Sequence, residues 1–277
     1  KKKKSVLGTN ADSITVGGDI LDVSAINVGT VVMNGTSAQS ITNPHAYTNL
    51  VIDNANGVTV EDNLAINDSL IMTSGELLIP SGKNLVVEGI RYGTGTLRFQ
   101  RKISGVRGWR ILSSPVSSTF GDFLDGTLTQ GFTGSTLGNA ALDSLQPNVL
   151  TYLESFEGTD NQRYRTPGNA TDPLAQGQGI FVFFFGDIAA DARYNNPLPD
   201  TLDVSGQEFN GTAGEVDFGV TYTANADKGW NLVGNPFGAT IDWDDSPNWT
   251  KTNIESTIYV WDPAANGGNG EYIFFFF

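Results

Sequence analysis

The sequence contains no cysteine and one histidine, which narrows the chemistry available to it. Without cysteine there is no disulfide scaffold, no thiolate nucleophile and no cysteine-ligated zinc. A histidine-based metal site or a Ser-His-Asp triad would have to use His45, which follows Asn43-Pro44 in a predicted turn with no Gly-x-Ser-x-Gly motif nearby. We therefore interpret His45 as a surface side chain.

Long apolar runs and helical periodicity are also missing. The longest apolar stretch, Gly179 to Phe185, has the length of one strand and falls far short of the roughly 20 residues that span a bilayer. Only Phe120 to Leu124 fits a short helix. Glycine, with 33 residues, and other turn formers separate short apolar runs. We predict an all-β protein that does not span a membrane.

Basic residues are scarce. The chain has 30 acidic and 16 basic residues, for a formal net charge of −14. So acidic a surface repels phosphate backbones, and we do not expect nucleic acid among its partners. Homopolymers at the two ends, Lys1 to Lys4 and Phe274 to Phe277, carry no weight in the functional prediction.

Residues 10–103 repeat a unit of alternating aliphatic residues followed by Gly, Asn, Asp or Ser. Every third apolar run recurs after about 20 residues, the spacing expected when three short strands form each coil of a parallel β-solenoid. These runs begin near Leu50, Val58, Leu64, Leu70, Leu77 and Leu85. An antiparallel meander with tight turns is the alternative that the same spacing allows.

The basic cluster within the body of the chain is Arg98 to Ile103, at the point where the repeat stops. Repeat arrays need polar terminal caps, so we predict a charged cap and linker here. An anion-binding patch is the alternative.

Two later stretches, Gly108 to Val116 and Gly229 to Phe237, share one pattern: Gly-Trp, a polar residue, two aliphatics, two small or polar residues, Pro and an apolar residue. This internal repeat predicts tandem β-sandwich modules with Trp109 and Trp230 as core anchors in matched strands. The predicted boundaries are 104–192 for module 1, 193–227 for bridging strands and 228–277 for module 2, which we expect to be incomplete.

The predicted strands follow the apolar runs, and the run from Phe181 to Phe185 is expected either to be buried on both faces or to be an edge strand covered by a neighbouring subunit. The strands of module 1 and the bridge are predicted at Trp109 to Leu112, Val149 to Leu153, Gln162 to Arg165, Gly179 to Phe185, Thr201 to Val204 and Glu215 to Thr223.

The segments Gly229 to Phe237, Ile241 to Trp243 and Tyr259 to Pro263 resemble a module common in large cell-surface and secreted proteins of Bacteroidota. Gly108 to Pro115 with Gly131 to Gly134 is similar to the companion module of those proteins, which are typically substrates of the type IX secretion system. The resemblance implies export to the outer surface of a Gram-negative bacterium. This chain shows neither a signal peptide nor a sorting domain, so we expect it to be part of a longer protein.

The same resemblance implies O-glycosylation, because the acceptor pattern of that phylum is Asp, then Ser or Thr, then an apolar residue. The pattern places candidate hydroxyls at Ser13, Ser69, Ser144 and Thr201. Asp-Ser is also ordinary turn chemistry, which is the alternative interpretation.

Acidic residues cluster at Asp242, Asp244 and Asp245, between Trp243 and Trp249. Tryptophans beside acids can form a sugar-binding surface, and a carboxylate pair can hydrolyse glycosides. The alternative, which we favour, is that Trp243 packs inside while the aspartates form an Asx turn. Oxygen-rich acidic loops also suit Ca²⁺. The weak calcium candidates are Asp242, Asp244, Asp245 and Asp262.

The sequence thus favours a non-enzymatic, exported structural or adhesive protein, with a β-solenoid stalk followed by interaction modules. Its expected partners are other proteins or copies of itself at the cell surface, with glycans as a further candidate. No cofactor is expected, and calcium is a weak candidate. One alternative is an accessory carbohydrate-binding region of a large secreted carbohydrate-active enzyme. Another is a secretion substrate bound to its outer-membrane export machinery.

Overall fold

In a computed structural model the chain is all-β, and it contains a parallel β-solenoid-like stretch of about four turns. The structure describes residues 6–7, 12–21, 25–42, 45–138, 146–187, 192–208, 216–217, 219–224, 229–245 and 249–276. The predicted fold class is confirmed for the solenoid, and its parallel strand pairing excludes the antiparallel meander.

Most of the regular structure is strand, with a few short helices. The strands of the first half are β1 (Val6–Leu7), β2 (Ser13–Val16), β3 (Ile20–Leu21), β4 (Ala25–Ile26), β5 (Thr30–Met33), β6 (Gln39–Thr42), β7 (Tyr47–Val60), β8 (Leu64–Ile79), β9 (Leu85–Val87), β10 (Arg91–Gly93) and β11 (Thr96–Ile103). The elements of the second half are β12 (Gly108–Leu112), β13 (Ser118–Thr119), α1 (Phe120–Phe123), β14 (Val149–Tyr152), α2 (Asp160–Arg163), β15 (Tyr164–Arg165), β16 (Pro173–Leu174), β17 (Ile180–Phe184), β18 (Gly186–Asp187), a 3-10 turn (Ala192–Tyr194), β19 (Asn195–Asn196), β20 (Asp200–Gly206), β21 (Thr257–Asp262), α3 (Ala265–Gly268) and β22 (Glu271–Phe276).

Equivalent positions of successive coils pair in three columns of parallel strands. One column joins β2, β5, β7, β8 and β10, and a second joins β3, β6, β7, β8 and β11. The third pairs Tyr47 with Ile66, and then β8 with β9. Strands β7 and β8 are long because each runs through all three columns.

The inward positions of the first column form an aliphatic ladder of Val31, Leu50 and Leu70, which are almost completely buried. Burying one such side chain stabilises the fold by about 1.5 to 3 kcal/mol. The periodic aliphatic residues of the sequence are therefore the core of the solenoid.

A buried amide pair holds one corner between columns. Asn54 Nδ2 donates to Gln39 Oε1 at 2.9 Å and to the Ser37 carbonyl at 2.8 Å. Gln39 Nε2 in turn donates to the Val16 carbonyl at 3.0 Å. One coil later Gly75 occupies this corner with a φ of 76°. A Cβ there would lie 1.8 Å from the backbone carbonyl oxygen of Asn54. The corner therefore accepts only glycine on that coil.

The final solenoid strand, β11, pairs antiparallel with β20. Arg98 Nε and Nη2 donate to the two carboxylate oxygens of Asp203, both at 2.6 Å, and Gln100 Nε2 also donates to Asp203 at 3.0 Å. The hydrogen bond from Arg98 lowers the pKa of Asp203 below its usual range. The predicted linker at Arg98 to Ile103 is therefore wrong: the segment is a strand, and its first arginine is paired.

The second half is built on a four-stranded antiparallel sheet in the order β12-β17-β14-β15. Ile180, Val182 and Phe184 on one face of β17 belong to the same continuous core as the solenoid ladder. Phe181 on the other face is only 7 % exposed, so this strand is buried on both faces as predicted. The expected tandem β-sandwich modules are not confirmed.

Three strand predictions need correction. Gln162 and Arg163 lie in α2, where a capping box with Thr159 favours a helical turn, and only Tyr164 and Arg165 form a strand. The described residues of the predicted strand Glu215 to Thr223 pair with no strand. Trp230 also lies outside any strand.

The ladder makes a quantitative prediction. Leu70→Ala should lower the free energy of unfolding by about 2 to 5 kcal/mol, because the emptied position lies between two coils that cannot collapse onto it. Urea unfolding followed by circular dichroism measures the change. Ile71→Ala, one residue on and facing outward, is the matched control and should lose clearly less. Equal losses would contradict the inward assignment of Leu70.

Candidate interaction site

The C-terminal hairpin, β21 and β22, packs one face on the four-stranded sheet. In the hairpin register Trp261 lies opposite Tyr272, and both rings contact Phe181 edge-on, at centroid distances of 5.8 and 6.3 Å. Trp261 Nε1 donates to the Trp109 carbonyl at 3.0 Å, which covers the edge of β12. Burial and the neighbouring Tyr164 hydroxyl raise the pKa of Tyr272. The hairpin is therefore seated on a rigid aromatic base.

Several aromatic rings on and near the hairpin are exposed to solvent, and we name three of them, which lie outside the terminal phenylalanine run, the aromatic surface. They are Tyr222, Trp230 and Tyr259, with exposed fractions of 76, 52 and 44 %. Trp230 and Tyr259 meet edge-to-face at 4.8 Å, and Phe274 lies opposite Tyr259 in the hairpin. The prediction that Trp230 is a core anchor equivalent to Trp109 is therefore wrong. Its ring is presented at the surface instead.

The Gly-Trp segment of the second repeat does not form a strand like the first. Residues 229–239, which we name the strap, run across the end of the four-stranded sheet. Gly234 N donates to the Gly177 carbonyl at 2.9 Å, and Ser113 Oγ donates to the Asn235 carbonyl at 3.0 Å. A Cβ on Gly234 would lie 2.2 Å from Ser113 Cβ, so glycine permits this approach.

The strap continues onto the solenoid. Leu85 N, in strand β9, donates to the Gly238 carbonyl at 2.8 Å. A Cβ on Gly238 would lie 2.1 Å from the ring of Phe99 in β11. Since Gln176 Nε2 also donates to the Pro236 carbonyl at 2.7 Å, the strap bonds to both halves of the protein.

The start of the strap is tied to Glu154, a carboxylate that is 2 % exposed. Its oxygens accept hydrogen bonds from Thr221 Oγ1 at 2.8 Å, from Thr223 N and Oγ1 at 2.7 and 3.0 Å, and from Gly229 N at 3.0 Å. Burial alone would raise the pKa of Glu154, but these four bonds to the ionised form lower it. Glu154 thereby holds the residues on both sides of the exposed Tyr222 and the residue immediately before Trp230.

The acidic cluster forms the Asx turn that we favoured, but Trp243 is only half-buried and not packed inside as that interpretation expected. Asp242 Oδ1 accepts a hydrogen bond from Asp244 N at 3.0 Å, and the Asp242 carbonyl accepts one from Trp249 Nε1 at 2.6 Å. The Trp243 and Trp249 rings lie 4.7 Å apart, and Lys251 Nζ lies 4.5 Å from the centre of the Trp243 ring. This partly exposed pair of tryptophans is held by backbone turn chemistry and a cation–π contact.

Calcium candidates are not gathered into one site. Asp262 Oδ1 accepts a hydrogen bond from Ala264 N at 2.8 Å, closing a turn at the end of β21. Within the part of the chain that the structure describes, no group of three or more His, Cys, Asp or Glu side chains is arranged to hold a metal ion. Asp242 and Asp244 share one turn and Asp262 closes another, and calcium binding at Asp242, Asp244, Asp245 and Asp262 stays a prediction.

The candidate glycosylation sites differ in access. Ser13 and Thr201 are exposed, whereas Ser69 is only 9 % exposed, at the position of strand β8 that pairs with Asn49. Ser144 lies outside the described residues. His45 is partly exposed, near the start of β7. O-glycosylation stays a prediction, with Ser13 and Thr201 as the accessible hydroxyls.

No protein-family model, curated protein or solved structure matches this chain. None of the described helices is long and apolar enough to cross a membrane. Fold and site together define an all-β protein in which a solenoid is joined, through a strap, to a sheet that carries exposed aromatic rings.

The hydrogen bonds of Glu154 predict a pH-dependent stability. Because its pKa is depressed in the folded state, its contribution is complete above the unfolded-state pKa of about 4.3 and is lost as pH falls through the lower folded value. Glu154→Gln should unfold at a lower urea concentration than the native chain at pH 7. The gap should narrow in acid.

Urea midpoints measured from neutral pH down to pH 3 test this dependence. Glu255→Gln, at an exposed position, is the control and should follow the native curve. A gap between Glu154→Gln and the native chain that stays constant with pH would show that the ionised carboxylate is not what holds the strap.

Proposed function

We propose that this protein is a non-catalytic structural or adhesive protein that binds a partner through its aromatic surface. The observation that carries the proposal is the exposure of Tyr222, Trp230 and Tyr259, three rings on or beside a strap and a hairpin that are hydrogen-bonded to the protein beneath them. Contiguous exposed apolar surface marks interaction sites, and tyrosine and tryptophan dominate the binding energy of protein interfaces.

The solenoid has the role of a stiff spacer in this proposal. Adjacent strands of a sheet lie about 4.8 Å apart, so the five strands of the first column span roughly 20 Å. Each coil is fixed to the next by backbone hydrogen bonds and an aliphatic ladder. The sheet with the aromatic surface therefore sits at a defined distance from the first coil.

A second copy of the chain is the partner that we propose first. The three rings of the aromatic surface carry no charge, while the chain as a whole carries a formal charge of −14. Like-charged copies repel one another at low ionic strength, and salt screens that repulsion without weakening apolar contacts. Self-association should therefore strengthen with added salt, which is the opposite of a charge-driven interface.

Export completes the proposal. The resemblance to surface and secreted proteins of Bacteroidota supports a location on the outer cell surface, reached through the type IX system. Binding to the outer-membrane export machinery is then a transient stage for such a substrate, and detection of the translocon in a purified complex would support that alternative.

Carbohydrate binding is a second candidate, favoured by one observation. Trp243 and Trp249 form a partly exposed ring pair beside exposed Asp242 and Asp244, which combines a stacking surface with hydrogen-bond acceptors. Neutral oligosaccharides that quench tryptophan fluorescence in the native chain, but not in a Trp249→Ala variant, would favour this function over self-association.

The first candidate is tested by sedimentation velocity over a wide range of protein and salt concentrations. The native chain should self-associate, and Trp230→Ala with Tyr259→Ala should weaken association by about 2 kcal/mol or more. Tyr92→Ala removes a ring of similar exposure, 43 %, from the solenoid and is the matched control. A native chain that stays monomeric in high salt would overturn the proposed role of the aromatic surface. So would a loss of association in Tyr92→Ala as large as that in the Trp230→Ala, Tyr259→Ala variant.

A further inference from the structure

An arginine occupies an inward position of the solenoid. In the first column Arg91 pairs in register with Leu70, which itself pairs with Leu50 and, one coil earlier, Val31. Arg91 is 7 % exposed, so its guanidinium lies where the preceding coils bury aliphatic side chains. The aliphatic ladder thus ends in a buried positive charge.

The charge is met by Glu208, just beyond the end of β20. Glu208 Oε2 lies 2.9 Å from Arg91 Nε, and the two side chains are 0 and 8 % exposed. The adjoining cavity has a volume of about 20 Å³, room for about one water molecule. Because so little solvent fits there, each charge depends on the other for its stabilisation.

The second carboxylate oxygen of Glu208 reaches the strap. Gly238 N donates to Glu208 Oε1 at 3.0 Å, and the Gly238 carbonyl accepts a hydrogen bond from Leu85 N. The Glu208 carboxylate therefore connects three segments that are distant in sequence. They are the last coil at Arg91, the segment that follows β20 and contains Glu208, and the strap at Gly238.

We propose that the Glu208–Arg91 ion pair holds the strap on the solenoid. When this pair is broken, residues 229–239 detach from the solenoid while the coils stay folded. The coils before Arg91 have their own ladder of Val31, Leu50 and Leu70, which does not involve the strap. Release would free the strap, which carries Trp230 of the aromatic surface, from its contacts with the spacer. The proposal concerns the junction alone and holds whatever the aromatic surface binds.

Hydrogen exchange of individual backbone amides, measured on the whole chain at neutral pH, tests whether the ion pair holds the strap. In Arg91→Leu, which extends the ladder with the residue found at Leu50 and Leu70, the Gly238 and Leu85 amides should exchange faster by on the order of 100-fold. The amide of Val51, within the coils, should keep its native rate.

Two further variants keep the test decisive. Glu208→Gln keeps an acceptor for Gly238 N but removes the charge, and it should also speed exchange at Gly238 and Leu85. The double variant, Arg91→Leu with Glu208→Gln, has no unpaired buried charge and should lie closer to the native rate than either single variant. Lys83→Met breaks the more exposed Lys83–Asp62 ion pair, 3.5 Å long, and serves as the control with native exchange at Gly238.

Three results would overturn this proposal. Native exchange at Gly238 in both single variants would show that the strap does not depend on the ion pair. Equal acceleration at Val51 and Gly238 would show that the pair supports the whole fold and not the strap. Strictly additive effects in the double variant would show that Arg91 and Glu208 act independently.

Discussion

The coil-on-coil hydrogen bonding of parallel strands is the constraint on which the rest of the structure depends. It forces equivalent residues of successive coils into register, so Val31, Leu50 and Leu70 stack, as do the corner residues Asn54 and Gly75. A substitution in one coil therefore also changes the contacts of the residues stacked above and below it in the neighbouring coils. The same register carries Arg91 inside and so creates the need for Glu208.

The two copies of the Gly-Trp pattern show how one sequence motif serves two structural purposes. In the first copy Trp109 lies in β12 and packs edge-on against Phe181 and Phe183. The second copy cannot repeat this arrangement on the same sheet, because β12 already pairs with β17 and its other edge is covered by Trp261. Its glycines instead allow close passage along Ser113 and Phe99, and Trp230 is left at the surface.

Local periodicity made part of this structure predictable. The three-strand coil, the short helix at Phe120 and the doubly buried strand at Phe181 all follow from residues close together in the sequence. Glu154 and Glu208 did not, because their partners lie tens of residues away and each acid looks like any other surface carboxylate in sequence. Arg91 did offer a signal, since it interrupts the spacing of Leu50 and Leu70 at an inward position.

The antiparallel pairing of β11 with β20 has an evolutionary consequence. Internal coils contact only their neighbours, so a unit of about 20 residues can be duplicated or deleted between β5 and β8 while Arg91, Glu208 and the strap keep their contacts. The closing strand β20, in contrast, occupies the edge of β11 on which a further coil would stack, so a coil cannot be added there without displacing it. Gene duplication can therefore tune the reach of the protein from within the repeat, while its junction is inherited as a fixed unit.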